Sequence, residues 1–98
     1  MTPPDPQKFN EAAHRIGDEI AELIISKQKD YGTGNILKSP VGPELGIIVR
    51  LSDKLNRLAN LQSKEPLNES VDDSWKDVAG YAFIALMVRR HQFELPVA

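Results

Sequence analysis

The sequence contains no cysteine, so disulfide bonds, zinc–thiolate sites and thiol nucleophiles are all excluded. It also lacks an excess of positive charge, because its formal net charge is −2 and its isoelectric point is near 5.6; this argues against general nucleic-acid binding. No stretch approaches the roughly 18 consecutive apolar residues of a membrane span, and "MTPPDPQKF" has neither the basic nor the apolar region of a secretion signal. We therefore expect a cytoplasmic protein with no membrane association.

Proline and glycine divide the 98 residues into three segments with helical periodicity. Apolar residues recur at three- and four-residue steps over about 7–31, about 43–64 and about 71–91, and no segment alternates as a strand would. The sequence therefore predicts an all-α fold, a three-helix antiparallel bundle that forms a single domain over residues 1–98. Because a domain this small buries a modest fraction of its surface, we expect a homo-oligomer.

Local signals indicate where the helices begin and end. Gly32 suits the end of the first helix, Pro43 the first turn of the second, and Ser70 the N-cap of the third. Between the first two helices, "GTGNILKSPVGP" contains three glycines and two prolines in twelve residues. We expect this stretch to be a loop.

The apolar residues of the later helices indicate what is buried. Ile48, Leu51, Leu55 and Leu58 fall on one face of the second helix and are its predicted core residues. The third helix continues into "VAGYAFIALMV", which is apolar nearly all round. We expect it to pack against other helices or against a second subunit.

An acidic stripe marks the start of the third helix. Glu69, Asp73 and Asp77 are spaced by four residues and so share one side, which Tyr81 continues. Acidic residues in a first turn complement the helix dipole, and this accounts for Asp73. It does not account for Asp77, which lies deeper in the helix at the edge of the apolar stretch. That carboxylate needs a partner, either a metal or ligand or a cation of the protein itself.

A second acidic pair lies on the first helix. Glu19 and Glu22 are three residues apart and therefore neighbours on the helix surface, although such a pair alone is usually no more than a solvated face. Mg²⁺ prefers oxygen ligands and often takes one or two carboxylates together with phosphate oxygens. If this pair faces Asp73 and Asp77, the four carboxylates could form a magnesium site.

A basic strip borders the apolar face of the second helix and contains Arg50, Asp53, Lys54 and Arg57. One interpretation is a lattice of surface ion pairs around Asp53, each worth a few tenths of a kcal/mol. The other is recognition of phosphate, for which the arginine guanidinium is well suited.

The end of the first helix supplies further binding candidates in "KQKDYG". Lys29 suits the negative end of the helix dipole, whereas Asp30 at that end is unfavourable and so is unexplained by capping. Tyr31 could stack on a nucleotide base or cover the core. We include all three among the candidate ligand-binding residues.

Three motifs in this order, "KQKDYG", "GIIVRLSDKLNRLANL" and "ESVDDSWKDVAGYAFIAL", resemble the nucleotide-modification-associated domain of the first class found in phages and bacteria. The resemblance covers roughly Lys27 to Leu86. The combination of an ExxE helix with a later acid-rich helix is also similar to the MazG-like all-α nucleoside triphosphate pyrophosphohydrolases, although the later pair here is spaced DxxxD and not ExxD.

The second resemblance implies Mg²⁺ as cofactor and hydrolysis of a nucleoside triphosphate to its monophosphate and pyrophosphate. Glu19, Glu22, Asp73 and Asp77 would hold the metal, with Glu22 and Asp77 the catalytic residues. Assembly into dimers or tetramers is also implied.

Three functions therefore remain open from the sequence. The first is the magnesium-dependent pyrophosphohydrolase. The second is a phage protein without catalytic activity that binds or sequesters a nucleotide or a nucleotide-derived signal. The third is a helical protein-interaction module whose acidic and basic stripes pair with each other.

Overall fold

The computed structural model describes residues 5–63 and 70–98, and the only regular secondary structure in these ranges is helical. Helix α1 spans Pro6–Tyr31, α2 spans Gly34–Leu37, α3 spans Pro43–Leu61 and α4 spans Val71–Arg89. The all-α prediction is confirmed, with four helices in the described ranges where three were expected. None of them carries the long apolar stretch that a bilayer crossing requires.

The expectation of a plain loop after Gly32 was wrong, because that stretch contains α2. A single helical turn has no repeat from which periodicity could reveal it. Ile36 of α2 is buried in one cluster with Ile47 and Phe93, and this packing holds the turn against the long helices. The Lys38 N–H closes the turn by donating to the carbonyl of Gly34 (2.9 Å).

The predicted roles of Gly32, Pro43 and Ser70 at helix ends are confirmed, although α3 and α4 end at Leu61 and Arg89, two to three residues before the predicted positions. Ser70 Oγ accepts a hydrogen bond from the Asp73 N–H (3.0 Å), so the side chain caps α4. Gly32 ends α1 at a φ of 66°, a left-handed value that glycine adopts without steric cost. Pro43 is the first residue of α3, as its fixed φ favours.

At its other end, α4 turns the chain back towards the core. His91 has a φ of 55°, and the Gln92 N–H donates to the carbonyl of Met87 (2.8 Å). This six-to-one hydrogen bond is typical of a Schellman motif. The reversal brings Phe93 into the buried cluster.

The predicted core face of α3 was wrong in part. Leu58 is buried, but the other fully covered residue of α3 is Ile47, whereas Ile48 and Leu55 are 54% and 49% exposed. The apolar surface of α3 is therefore wider than the part covered by the described chain. Its covered part faces α4, since Leu51 packs in one cluster with Ile84 and Val88.

Helix α4 contacts both α1 and α3. Ion pairs join Glu44, at the start of α3, to Arg89, at the end of α4 (3.2 Å), and Lys54 to Asp77 (2.9 Å), so these helices run in opposite directions. Ile20 and Ile24 of α1 are buried, with Ile24 beside Gly80 of α4. Further towards the start of α1, Phe9 and Ile16 continue the apolar stripe but are exposed.

Candidate functional site

Asp77 lies where α1, α3 and α4 meet, and both of its carboxylate oxygens accept hydrogen bonds from lysines. Lys27 Nζ of α1 donates to Oδ1 and Lys54 Nζ of α3 donates to Oδ2, each at 2.9 Å. Burial alone would raise the pKa of Asp77, but the hydrogen bonds and positive charges of Lys54 and Lys27 outweigh it and hold the pKa below its ordinary value of 3.8. Asp77 is therefore ionised at neutral pH.

Two small residues of α4, Gly80 and Ser74, are buried in the same helix as this carboxylate. Gly80 faces α1, where an added Cβ would lie 3.8 Å from Cγ1 of Ile24, an ordinary contact distance. Ser74 is fully buried.

A cleft of about 270 Å³, hereafter the central cleft, opens beside Asp77. Its size is near the lower end of the range for ligand pockets, about 300–1,000 Å³. It combines charged residues with aromatic rings: its lining includes Lys27, Arg50, Asp77, Tyr31, Tyr81 and Phe93. Two cations against one carboxylate leave the cleft with an excess of positive charge.

Two hydrogen bonds to the backbone fix the walls of the central cleft. Arg50 Nη2 donates to the carbonyl of Asn35 (2.8 Å), which holds the guanidinium at the edge of α2. Gln28 Nε2 donates to the carbonyl of Phe93 (3.2 Å), which ties α1 to the segment after α4. A guanidinium has five N–H donors, so the bond to Asn35 uses a small part of its capacity.

The structure places the predicted ligand-binding residues in different environments. Tyr31 and Arg50 line the central cleft, and Lys54 adjoins it through Asp77. The others do not line it: Lys29 and Asp30 are exposed at the end of α1, Asp53 is exposed on α3, and Arg57 borders a shallow depression with Asn56 and Asn60.

All four predicted metal ligands line one open groove, hereafter the acidic groove, between α1 and α4. Glu19, Glu22, Asp73 and Asp77 share it with Arg15, Lys27 and Lys76. Cations are thus interspersed with the acids, and Lys76 Nζ lies 3.7 Å from Glu19 Oε2. Within residues 5–63 and 70–98, no group of three or more His, Cys, Asp or Glu side chains is arranged to hold a metal ion. Glu69, the first member of the predicted acidic stripe, lies outside the described residues.

Sequence reasoning did not include Lys27, Gln28, Tyr81 or Phe93 among the site residues. One signal was available for Lys27, because Leu23, Lys27 and Tyr31 are spaced by four and so share a side of α1. Phe93 had no such signal, because it lies beyond the last helix.

Comparisons with protein-family models, with curated proteins and with solved structures found no match.

Proposed function

We propose that this protein binds a nucleotide, or a related phosphorylated small molecule, in the central cleft. The observation that carries the proposal is that Lys27 and Arg50, from two different helices, line the same cleft as Tyr31 and Tyr81. Cations recognise phosphate, and aromatic rings can stack on a base.

Arg50 is the principal phosphate contact in this proposal. Its planar guanidinium can donate two parallel hydrogen bonds to phosphate oxygens, and the bond to Asn35 orients it beforehand. Lys27 is the second contact, because an ammonium has three donors and Asp77 engages it from one side. A bound phosphate would neutralise the positive excess of the cleft.

Tyr31 is the proposed base contact. It is 69% exposed although it lines the cleft, so a ligand could cover the ring and bury apolar area that water now contacts. The resemblance of "KQKDYG", which contains Lys27 and Tyr31, to the nucleotide-modification-associated domain also supports a nucleotide.

Magnesium-dependent hydrolysis is the second candidate function. It is favoured by the acidic groove, which adjoins the central cleft and shares Lys27 and Asp77 with it. The fit to a metal is incomplete, because both oxygens of Asp77 are held by lysines and a metal would have to displace one of them. Binding without catalysis is therefore the function that the geometry supports better. The third possibility, an interaction module whose acidic and basic stripes pair with each other, is supported by the Lys54–Asp77 ion pair (2.9 Å).

The test is a thermal-shift and calorimetric titration of the full chain with nucleoside mono-, di- and triphosphates and cyclic nucleotides, each in Mg²⁺ and in EDTA. A ligand that binds only the folded state raises the melting temperature by mass action. We expect a nucleotide to bind in EDTA, and Arg50→Gln to weaken that binding at least about tenfold, since a charge-assisted contact is lost.

Arg57→Gln is the matched control, because it makes the same change on the same helix outside the central cleft. Equal losses at both positions would show that the whole basic strip contacts the ligand, and would contradict the placement in the cleft. Binding that requires Mg²⁺, followed by pyrophosphate release, would favour the hydrolase. Absence of binding across the panel would overturn the proposal.

A further inference from the structure

We propose that the side of the α3–α4 pair opposite the central cleft binds a second copy of this chain. We call this side the outer face. It is formed by Leu45, Ile48 and Leu55 of α3 with Trp75, Ala82 and Leu86 of α4. All six residues are exposed in the single chain, and the five large ones are each exposed by about half: Leu45 51%, Ile48 54%, Leu55 49%, Trp75 52% and Leu86 51%.

The six residues share one side of the pair because of helical geometry. On α4, Trp75, Ala82 and Leu86 lie within a sector of about 40°, roughly opposite Asp77, at about 100° per residue. The residues of α4 that pack towards α3, such as Tyr81 and Ala85, lie between that sector and Asp77.

The same order holds on α3. Ile47 and Leu51, which pack towards α4, lie between Lys54 on one flank and the sector of Ile48 and Leu55 on the other. Since Lys54 and Asp77 join on one side of the pair, the two apolar sectors must both lie on the other side. Helix α1 packs on the Asp77 side through Lys27, so it does not cover the outer face.

The exposed area agrees with a missing partner. A compact monomer of 10.9 kDa is expected to expose about 5,600 Å², whereas this chain exposes 7581 Å². The excess of about 2,000 Å² is more than the roughly 800 Å² that each partner buries in an interface of standard size. The large apolar side chains of the outer face contribute to this exposed area, and a monomer rarely leaves so many of them side by side in contact with water.

The chemistry of the outer face favours a second copy as the occupant. In a two-fold dimer the same patch meets itself, so charges near its centre would face like charges. The residues between the large apolar ones are instead uncharged, namely Ser52 and Asn56 on α3 and Ala79 on α4. The exposed charges at one end of this side, Glu44 and Arg89, pair with each other and so carry no net charge. Two antiparallel helices from each copy would then form a four-helix core, with α1 of each chain outside it.

This interface is independent of the proposed ligand site, because the central cleft lies on the α1 side of α4. Loss of the dimer and loss of nucleotide binding are therefore separate results.

Sedimentation equilibrium of the full chain over a wide concentration range tests the proposal. We expect a species of twice the 10.9 kDa chain mass. Ile48→Glu should raise the dimer dissociation constant at least about 100-fold, because it buries a charge in an apolar interface. Ile16→Glu is the matched control: Ile16 is also an exposed isoleucine (59%), but it lies on α1 away from the outer face, and its variant should remain dimeric.

Trp75 provides a second measurement on the unmodified protein. It is the sole tryptophan of the sequence and lies on the outer face. Its fluorescence should be shielded from acrylamide at high concentration and become accessible on dilution over the range in which the dimer dissociates. This readout does not depend on whether Ile48→Glu folds.

A wild-type chain that stays monomeric at millimolar concentration would overturn the proposal. So would an Ile48→Glu dimer as tight as wild type, or a dimer that dissociates on Ile16→Glu alone. A dimer in which Trp75 remains accessible would place the interface elsewhere and would equally overturn it.

Discussion

The two sides of α4 differ in where they place charge and exposed apolar surface. The side towards α1 and α3 carries core residues and one acid, Asp77, which pairs with Lys27 of α1 and Lys54 of α3, whereas the outward side carries the exposed apolar residues Trp75, Ala82 and Leu86. A helix on the surface of a monomer usually turns its apolar side to the core and its charges to water. The inner charges lie at the proposed ligand site, and the outward apolar side forms the proposed surface for a second copy.

The largest expected effect is on the free energy of unfolding, and it should differ between two adjacent isoleucines of α3. Ile47 is 1% exposed in the core and Ile48 lies on the outer face. Ile47→Ala should lower the free energy of unfolding by about 2–5 kcal/mol at any protein concentration, since it leaves a cavity. Ile48→Ala should have a smaller effect that decreases on dilution, because the exposed 54% of Ile48 would be covered only in the proposed dimer.

Chemical denaturation at two protein concentrations measures both variants. If Ile47→Ala and Ile48→Ala showed the same loss with no dependence on concentration, the contrast between the two sides would fail.

The next effect concerns the charged side. Asp77→Asn should lower the free energy of unfolding by about 1–2 kcal/mol, because the two lysine hydrogen bonds to a charged acceptor are weakened. Asp53→Asn, at an exposed position of α3, is the control and should change stability by less than about 0.5 kcal/mol. Urea unfolding at pH 7 measures both variants. An Asp77→Asn variant as stable as the wild type would mean that the ion pairs with the two lysines contribute nothing to the free energy of unfolding.

The lowered pKa of Asp77 also predicts how the stability of the protein depends on pH. Because the pKa of Asp77 is lower in the folded protein than in the unfolded chain, the unfolded chain takes up its proton first as pH falls. The contribution of Asp77 is therefore complete above about pH 5 and is lost as the pH falls through 4 and below. The stability difference between wild type and Asp77→Asn should shrink over that range, and a difference that is constant down to pH 2 would contradict it.

The smallest effect tests the packing beside Asp77. Gly80→Ala should stabilise the protein by about 0.4–1 kcal/mol, since alanine favours a helix interior and the new Cβ would be in ordinary contact with Ile24. Gly46→Ala is the contrasting case, because its Cβ would lie 2.5 Å from Ser39 Oγ and the neighbour would have to move. The melting temperatures of the two variants should shift in opposite directions. A lower melting temperature for Gly80→Ala would show that α1 and α4 pack more closely than the 3.8 Å distance to Ile24 indicates.

Much of the fold was predictable because its signals are local. Pro43, Gly32 and Ser70 act within one turn of their own position, so the helix ends follow from the sequence. Helix α2 has no periodicity and depends on Ile36 finding Ile47 and Phe93, which is a tertiary contact. The error on Ile48 has a similar origin, since an apolar residue that is buried within its chain and one that is exposed on the surface give the same periodic pattern.

The site was predictable only in part for the same reason. The position of Asp77 inside an apolar helix indicated that it needs a partner, and this required no knowledge of the fold. Its partners lie 50 and 23 residues away in the sequence, and helical periodicity carries no information on such distances. Whether a cation of the chain or a metal meets a carboxylate is decided by packing.

The position of Phe93 after the last helix determines when, during synthesis, the central cleft can be completed. Its ring belongs to the buried cluster, it lines the central cleft, and its carbonyl holds Gln28. A ribosome releases the N-terminal parts of a chain first, so all four helices leave it before this residue does. A nascent chain, or one cut between Arg89 and Phe93, would therefore lack one wall of the central cleft, and the ligand binding proposed for that cleft would begin only after synthesis has passed Phe93.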